Sequence, residues 1–331
     1  MADLANPLPC RRQEHPLYRR EYRIATPSIE KFWGVVSDCL KHRIPGALIY
    51  AKPRFGKTHA IQYIRLLLES KYPNIPTYHI QADYKTGNSE GAFFSNLMAA
   101  VHVPIQGVMS NINKRTRLYA KILEHVHQAQ SNWVVFFCDE AQRYSRHEYE
   151  WLRDVHDALN QHNVRLFVFL VGQPQLLTQK MRFRDSGDEQ IIMRFMVDEL
   201  HFRGILCADD IATCLLGYDE TLYPESSGWS YTRFCYPIAF DAGYRLVKEA
   251  DSLWQAFKKV HDDNGLPGTL EIPMDYFSRA VEYLLLEAPV DDNGELHMSA
   301  VVMERAVIES RYVEAFRAYS GSVPSTVNRR K

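Results

Sequence analysis

Ala51-Lys52-Pro53-Arg54-Phe55-Gly56-Lys57-Thr58 joins an apolar run, Ala47-Leu48-Ile49-Tyr50, to a helical pattern from Ala60 to Leu68. Strand, tight loop, Gly-Lys-Thr and helix make an anion cradle. Backbone N–H groups at a helix start point outward, and the helix dipole favours negative charge there. In that layout Arg54, Phe55, Gly56, Lys57 and Thr58 line the phosphates of a nucleotide. Lys57 reaches the outer phosphates and the Thr58 hydroxyl ligates magnesium. Ala51 stands where the pattern G-x-x-x-x-G-K-[ST] has its first glycine, and Arg54 and Phe55 are bulky for such a loop. The plain alternative is a chance Gly-Lys-Thr at a helix start.

A second run weakens that alternative. Trp133-Val134-Val135-Phe136-Phe137-Cys138 has the composition of a buried strand and ends in Asp139-Glu140. An apolar strand that delivers two carboxylates at its C-terminal end suits a magnesium-dependent ATPase. Asp139 would hold the ion directly or through water, and Glu140 would orient or deprotonate the attacking water. ATP and Mg2+ are the expected cofactors. The competing reading is a strand that ends in solvated acids.

Around these residues, strand runs alternate with helical ones. Strands are predicted at 77–82, 133–138, 164–171 and 197–202, and helices at 26–41, 89–102, 114–130 and 146–162. Such alternation predicts a mostly parallel, right-handed doubly wound sheet. Ligands of these sheets sit at the carboxyl ends of the strands, where both the Lys57 loop and Asp139-Glu140 fall. Beyond Gly204 the strand signal fades, and helices are predicted at 208–216, 230–262, 274–287 and 298–319. The expected division is an arm over 1–24, an α/β nucleotide-binding domain over 25–203, an all-helical domain over 204–320 and a disordered tail over 321–331.

Composition bounds the rest. The formal net charge is −1 over 331 residues, which excludes a generally basic nucleic-acid coat but not a local basic patch. Six scattered cysteines form no C-x-x-C pair, and the histidines show no compact metal spacing. With no signal-peptide or membrane-spanning segment in the sequence, a cytoplasmic protein is expected, associated with the nucleoid if it binds DNA.

The strand ending Leu170-Val171-Gly172-Gln173-Pro174 completes a familiar order: A-x-x-x-x-G-K-T, F-F-C-D-E-A-Q, L-V-G-Q-P, then Arg194-Phe195. Over roughly residues 25–260 the chain resembles the TnsC/TniB transposition regulators. These are initiator-like AAA+ ATPases, similar also to IstB helper proteins, and the compact TnsC of CRISPR-associated transposons is the nearest in length. The resemblance implies an AAA+ P-loop ATPase: a doubly wound parallel sheet followed by a small helical lid. It implies slow, assembly-coupled ATP hydrolysis, rings or helical filaments of the protein on double-stranded DNA, recruitment by a TniQ-type target-selection factor with its RNA-guided complex, and in turn recruitment of transposase subunits. Gln173 matches a sensor of the γ-phosphate. Arg194 is the first choice for an arginine finger supplied in trans, with Arg182 and Arg184 as rivals, and Arg245 in Gly243-Tyr244-Arg245 resembles a second sensor that touches the nucleotide.

For DNA, the expected contacts are Lys85 and Thr86 after the second strand, with Lys114, Arg115 and Arg117 at a helix start after the Gly107–Asn113 segment. Such residues touch phosphate without reading bases, and repetition round a ring multiplies a few weak contacts. Solvation of a helix face is the bland alternative for each. Trp229, in Tyr223-Pro224-Glu225-Ser226-Ser227-Gly228-Trp229, is either a docking aromatic or a core residue. The arm at 1–24 is either a solvated tail or a partner- or nucleic-acid-binding segment. Rival functions are a helicase loader or other initiator-type AAA+ protein, a helicase suggested by Asp139-Glu140-Ala141-Gln142, and a nucleotide-gated scaffold.

Overall fold

The computed structural model describes residues 8–84, 87–105 and 107–320, the side chains of 319 and 320 excepted. In chain order it runs α1 (Pro16–Arg19), α2 (Pro27–His42), β1 (Gly46–Tyr50), α3 (Lys57–Lys71), β2 (Thr77–Gln81), α4 (Glu90–Ala100), α5 (Asn111–Gln128), β3 (Trp133–Asp139), α6 (Arg146–Gln161), β4 (Arg165–Gly172), α7 (Gln175–Asp185), α8 (Glu189–Phe195) and β5 (Asp198–His201). Helices alone follow: α9 (Ala208–Glu220), α10 (Tyr231–Cys235), α11 (Pro237–Asp241), α12 (Ala250–Asp263), α13 (Met274–Leu286), α14 (Ala300–Glu309) and α15 (Tyr312–Ser320). Ser28–Phe202 forms one compact unit; the described residues on either side of it form another.

The first unit is a five-stranded sheet in the order β2-β3-β4-β1-β5, and every pairing is parallel. A parallel sheet covered on both faces needs strands that are apolar throughout rather than alternating, and β3 and β4 meet this: all but their first residues are buried. Strand alternation then sorts the side chains. Val135, Phe137, Phe167 and Phe169 face α2 and α3, while Val134, Phe136, Leu166 and Val168 face the core that α4 to α8 contribute to. Phe137 and Phe169 stack with centroids 5.2 Å apart, and truncating either to Ala removes about 3–5 kcal/mol.

Two helices expected in the helical unit are broken. The helix expected over 230–262 is broken into α10, α11, a 3-10 turn at Leu246–Glu249 and α12. Pro237 lacks the N–H that would continue α10, and Gly243 takes φ +98°, which an L side chain rarely adopts. The helix expected over 298–319 breaks at Arg311, φ +65°. Trp229 is buried, 6% exposed, with the Arg233 guanidinium 4.8 Å from its ring centroid, so it is a core residue and not a docking aromatic. Nor do residues 8–24 run as a solvated tail: His15, Leu17 and Ile24 are buried in the helical unit. Residues 1–7 of the expected arm and the tail at 321–331 lie outside the described residues.

Candidate nucleotide site

β1 ends at Tyr50 and the chain turns through residues 51–56 into α3. The turn needs left-handed backbone at two points, Arg54 (φ +71°) and Gly56 (φ +87°). At Gly56 this is free; at Arg54 it costs roughly 1–2 kcal/mol. Gly56 brings no capping side chain to α3, which leaves the first-turn N–H groups for an external acceptor. The Phe55 side chain is buried in the core beside α2 and α3, so of its groups the backbone N–H remains for a ligand. Lys57 is almost wholly buried and donates to the carbonyls of Ala51 and Lys52, 3.1 Å each. Burial lowers the pKa of its ammonium, and the nearby Glu140 and Asp139 carboxylates oppose that shift.

β3 brings Asp139 beside that helix. Thr58 Oγ1 donates to Asp139 Oδ2 at 2.7 Å, and the Glu140 N–H donates to Oδ1 at 2.9 Å. His79 Nε2 on β2 lies 3.4 Å from Oδ2, though not aligned for a hydrogen bond. Burial alone would raise the Asp139 pKa; His79, Thr58 and the Glu140 N–H outweigh it and hold the carboxyl below its ordinary value. A fully buried carboxylate kept anionic against desolvation is suited to a cation. Among the described residues, no group of three or more His, Cys, Asp or Glu side chains could hold a metal ion by itself. Magnesium in nucleotide sites takes one or two protein ligands and fills its shell with phosphates and water. Thr58 and Asp139 supply that pair, so the residues fit a magnesium–nucleotide complex.

Glu140 also has left-handed backbone, φ +53°. The turn aims its carboxylate at a small amide cluster. Glu140 Oε2 accepts from Gln142 Nε2 at 2.6 Å and Gln173 Nε2 at 3.4 Å, and Arg143 Nη2 approaches to 3.7 Å. Gln142 Oε1 in turn accepts the Gln173 N–H at 3.0 Å, and the Gln142 carbonyl accepts from Gln179 Nε2 at 2.9 Å. Gly172 makes this possible. A Cβ there would meet Gln142 Oε1 at 2.2 Å and Leu176 Cδ1 at 2.8 Å, so the strand end must be bare for the glutamine to cross it. Arg143 Nη1 donates to the Ala82 carbonyl, 3.0 Å, at the end of β2.

Lys57, Thr58, Asp139, Glu140 and Gln173 thus join into one cluster. Sequence reasoning missed His79, Gln142 and Arg143. His79 was open to inference, because pairing β2 with β3 puts residues 79, 137 and 139 on one face of the sheet. The other two hold Glu140 through a turn and a glycine whose geometry no spacing rule carries.

The remaining candidates lie apart from the cluster's hydrogen bonds. Arg194 Nη2 donates to Asp157 at 3.0 Å, its side chain 31% exposed. Arg182 and Arg184, in the last turn of α7, are exposed and have no ion partner among the described residues. In the helical unit, Arg245 caps the carbonyls of Phe240 and Tyr244 and lies 3.6 Å from the Phe240 ring centroid. Lys85 and Thr86 lie outside the described residues. α5 begins at Asn111, capped by Ser110, so the basic run lies in its first turns and not at its start. Lys114 donates to the Gly91 carbonyl at 2.9 Å. Arg115 pairs with Glu90 (2.8 Å) and Asp154 (3.0 Å) and covers the Phe94 ring. Arg117 alone of the three is exposed, with no partner among the described residues. No described helix is long and apolar enough to cross a membrane.

Residues 45–179 match the family model described as AAA domain. None of the curated proteins compared with the chain matches it. Similar solved structures include the Aeropyrum pernix ORC2 protein in ADPNP-ADP complexes, 13% identical over 89% of this chain and 71% of that one, TM-score 0.48. They also include domain III of the Thermotoga maritima replication initiation protein DnaA, 15% identical over 85% of this chain and 98% of that one, TM-score 0.39. A third is the Aeropyrum pernix ORC1 protein in complex with DNA, 12% identical over 92% and 86%, TM-score 0.42. The all-parallel sheet with the Lys57 loop at its carboxyl edge is the AAA+ P-loop fold, and residues 45–179 are the part of the chain similar to an AAA domain.

Proposed function

We propose that this chain is an ATP-dependent, DNA-binding AAA+ regulator of DNA transposition. It assembles on duplex DNA and links a TniQ-type target-selection factor to transposase subunits. The observation that carries the ATPase reading is the hydrogen-bonded cluster of Thr58, Asp139, Glu140, Gln142 and Gln173 beside the Lys57 loop. The motif order from Ala51 to Arg194 supports the transposition reading.

Magnesium, when bound, neutralises charge on the phosphates. This chain's own groups do the rest. Lys57 and the first-turn N–H groups of α3 hold the phosphate oxygens. Thr58 and Asp139 fix the cation's position. Glu140, held by Gln142 and Gln173, takes a proton from a water in line with the outer phosphate. Gln173 is joined to Glu140 and senses whether that phosphate is present. An arginine from a neighbouring copy, Arg194 in the first instance, completes charge neutralisation and ties turnover to assembly. Opening the Arg194–Asp157 pair for that purpose is cheap, because a half-exposed ion pair is worth about 0–1 kcal/mol. Arg245 acts as the second sensor from the helical unit, and the region of Lys85, Thr86, Lys114, Arg115 and Arg117 meets DNA, with Arg117 the exposed contact and Arg115 held back by Glu90 and Asp154. The protein works in the cytoplasm, on the nucleoid.

A helicase loader or other initiator-type protein would use the same AAA domain and differ in its partners. A neighbouring gene for a replicative helicase, in place of transposase and TniQ genes, would decide for it. The direct experiment is electron microscopy of the protein with ATP and duplex DNA. Rings or filaments encircling the duplex are expected; dispersed monomers at high protein and ATP overturn the assembly reading.

A further inference from the structure

We propose that residues 11–23, folded onto the helical unit, form a second surface for the phosphate backbone of duplex DNA. The inference rests on the reading that the chain binds DNA and places a contact outside the α5 region. Its first support is the anchor. His15 is wholly buried, stacked on Phe234 (centroids 4.0 Å, 17° between planes) and edge-on to Tyr231 (5.0 Å) and Tyr223 (5.3 Å). Its Nδ1 accepts the Leu17 N–H, capping α1. Leu17 and Ile24 are buried with it, and Tyr22 Oη donates to Glu282 Oε1 at 2.9 Å.

Its second support is what the anchor holds outward. Arg11, Arg12, Arg19, Arg20 and Arg23 are all exposed, with Tyr18 40% exposed among them. Arg19 Nε donates to the Gln13 carbonyl at 3.1 Å, which draws its guanidinium back to the 3-10 turn that begins at Arg12. Arg11 caps that turn and Arg12 opens it, so three exposed cations project from one short folded stretch. Arg20 is spent on Glu282, 3.2 Å away. Of the two acids in the segment, Glu14 accepts the Arg11 backbone N–H (3.4 Å) and Glu21 is exposed. Among the described residues Arg11, Arg12 and Arg19 have no carboxylate partner.

A solvated tail needs no buried anchor, and a merely structural segment needs no three exposed guanidiniums without a carboxylate partner among the described residues. Guanidinium forks match phosphodiester oxygens in pairs, and holding them on a folded frame lowers the ordering cost of each contact. Nothing in the segment is built to read base edges, so the contact is independent of sequence.

The test uses the full chain with Arg11, Arg12 and Arg19 replaced together by Ala, and separately by Lys. Binding to a short duplex of random sequence is followed by fluorescence anisotropy over a range of salt, with ATP. The Ala variant should bind about 10-fold or more weakly at low salt, its log-log salt slope shallower by about 2–3. The Lys variant should keep most of the slope, and ATP turnover without DNA should be unchanged in both. Duplex binding with unaltered affinity and slope in the Ala variant overturns the proposal and leaves the proposed function standing. Failure of the unmodified protein to bind duplex overturns both. Loss of binding to polyglutamate with duplex binding intact also overturns it, in favour of an acidic protein partner.

Discussion

The end of β3 and the first turns of α5 each carry a short run of charged residues, and the fold treats them oppositely. At Asp139-Glu140 every charge converges. The strand fixes Asp139 against Thr58, one left-handed residue turns Glu140 into Gln142 and Gln173, and no charge is left to solvent alone. At Lys114-Arg115-Thr116-Arg117 the charges fan out. Successive helical residues point about 100° apart, so Arg115 enters an ion-pair cluster with Glu90 and Asp154, Lys114 reaches a carbonyl of α4, and Arg117 faces solvent. Consecutive charges at a strand end can therefore serve one reaction. Consecutive charges on a helix serve several purposes, and only some of them remain for a partner.

The sharpest way to break this contrast is at Glu140. Glu140→Gln should slow ATP turnover about 100-fold or more while nucleotide binding and assembly on DNA persist; unchanged turnover removes it from the reaction. Gln142→Ala should follow, lowering kcat about 10–100-fold with little change in ATP affinity. Gly172→Ala should reproduce that loss, because it evicts the same amide, and should add about 1–3 kcal/mol of destabilisation seen in a denaturant titration. A Gln142 variant with full kcat would mean that Glu140 needs no support. The next test is pH. The Asp139 carboxyl is held below its ordinary value in the fold, so its contribution is complete above the unfolded carboxylate range and is lost as pH falls through the folded value. Asp139→Asn should flatten the acid limb of thermal stability. The smallest effects separate the arginines of α5. Arg115→Ala should cost about 0.5–1 kcal/mol of stability and leave the salt slope of DNA binding alone. Arg117→Ala should spare stability and reduce that slope by about 1. Reversed outcomes would move the DNA surface onto Arg115.

Sequence reading did best where the fold leaves little choice. Apolar runs such as 133–138 and 164–171 admit a doubly covered strand, and Gly56-Lys57-Thr58 after such a strand fixes the loop. It failed where one residue overrides a pattern. The amphipathic period over 230–262 is real, but Pro237 and Gly243 cut it, and the Ser110 cap starts α5 earlier than the basic run suggests. Trp229 shows a further limit: a loop rich in Pro, Ser and Gly says nothing about which way its aromatic turns. In the site, Lys57, Thr58, Asp139 and Glu140 were legible as candidates from motif spacing, and Gln173 only through the resemblance. Gln142 was not, because its place depends on the absence of a single Cβ.

The helical unit is assembled from two stretches of chain separated by the whole of Ser28–Phe202. A ribosome must therefore release the α/β unit before the pocket for His15 exists, since Tyr223, Tyr231 and Phe234 are still unmade. The nascent arginine-rich stretch waits unshielded through that interval, and domain-by-domain maturation during synthesis follows the order in which the units are completed along the chain: the inserted unit first, the one split around it in sequence last.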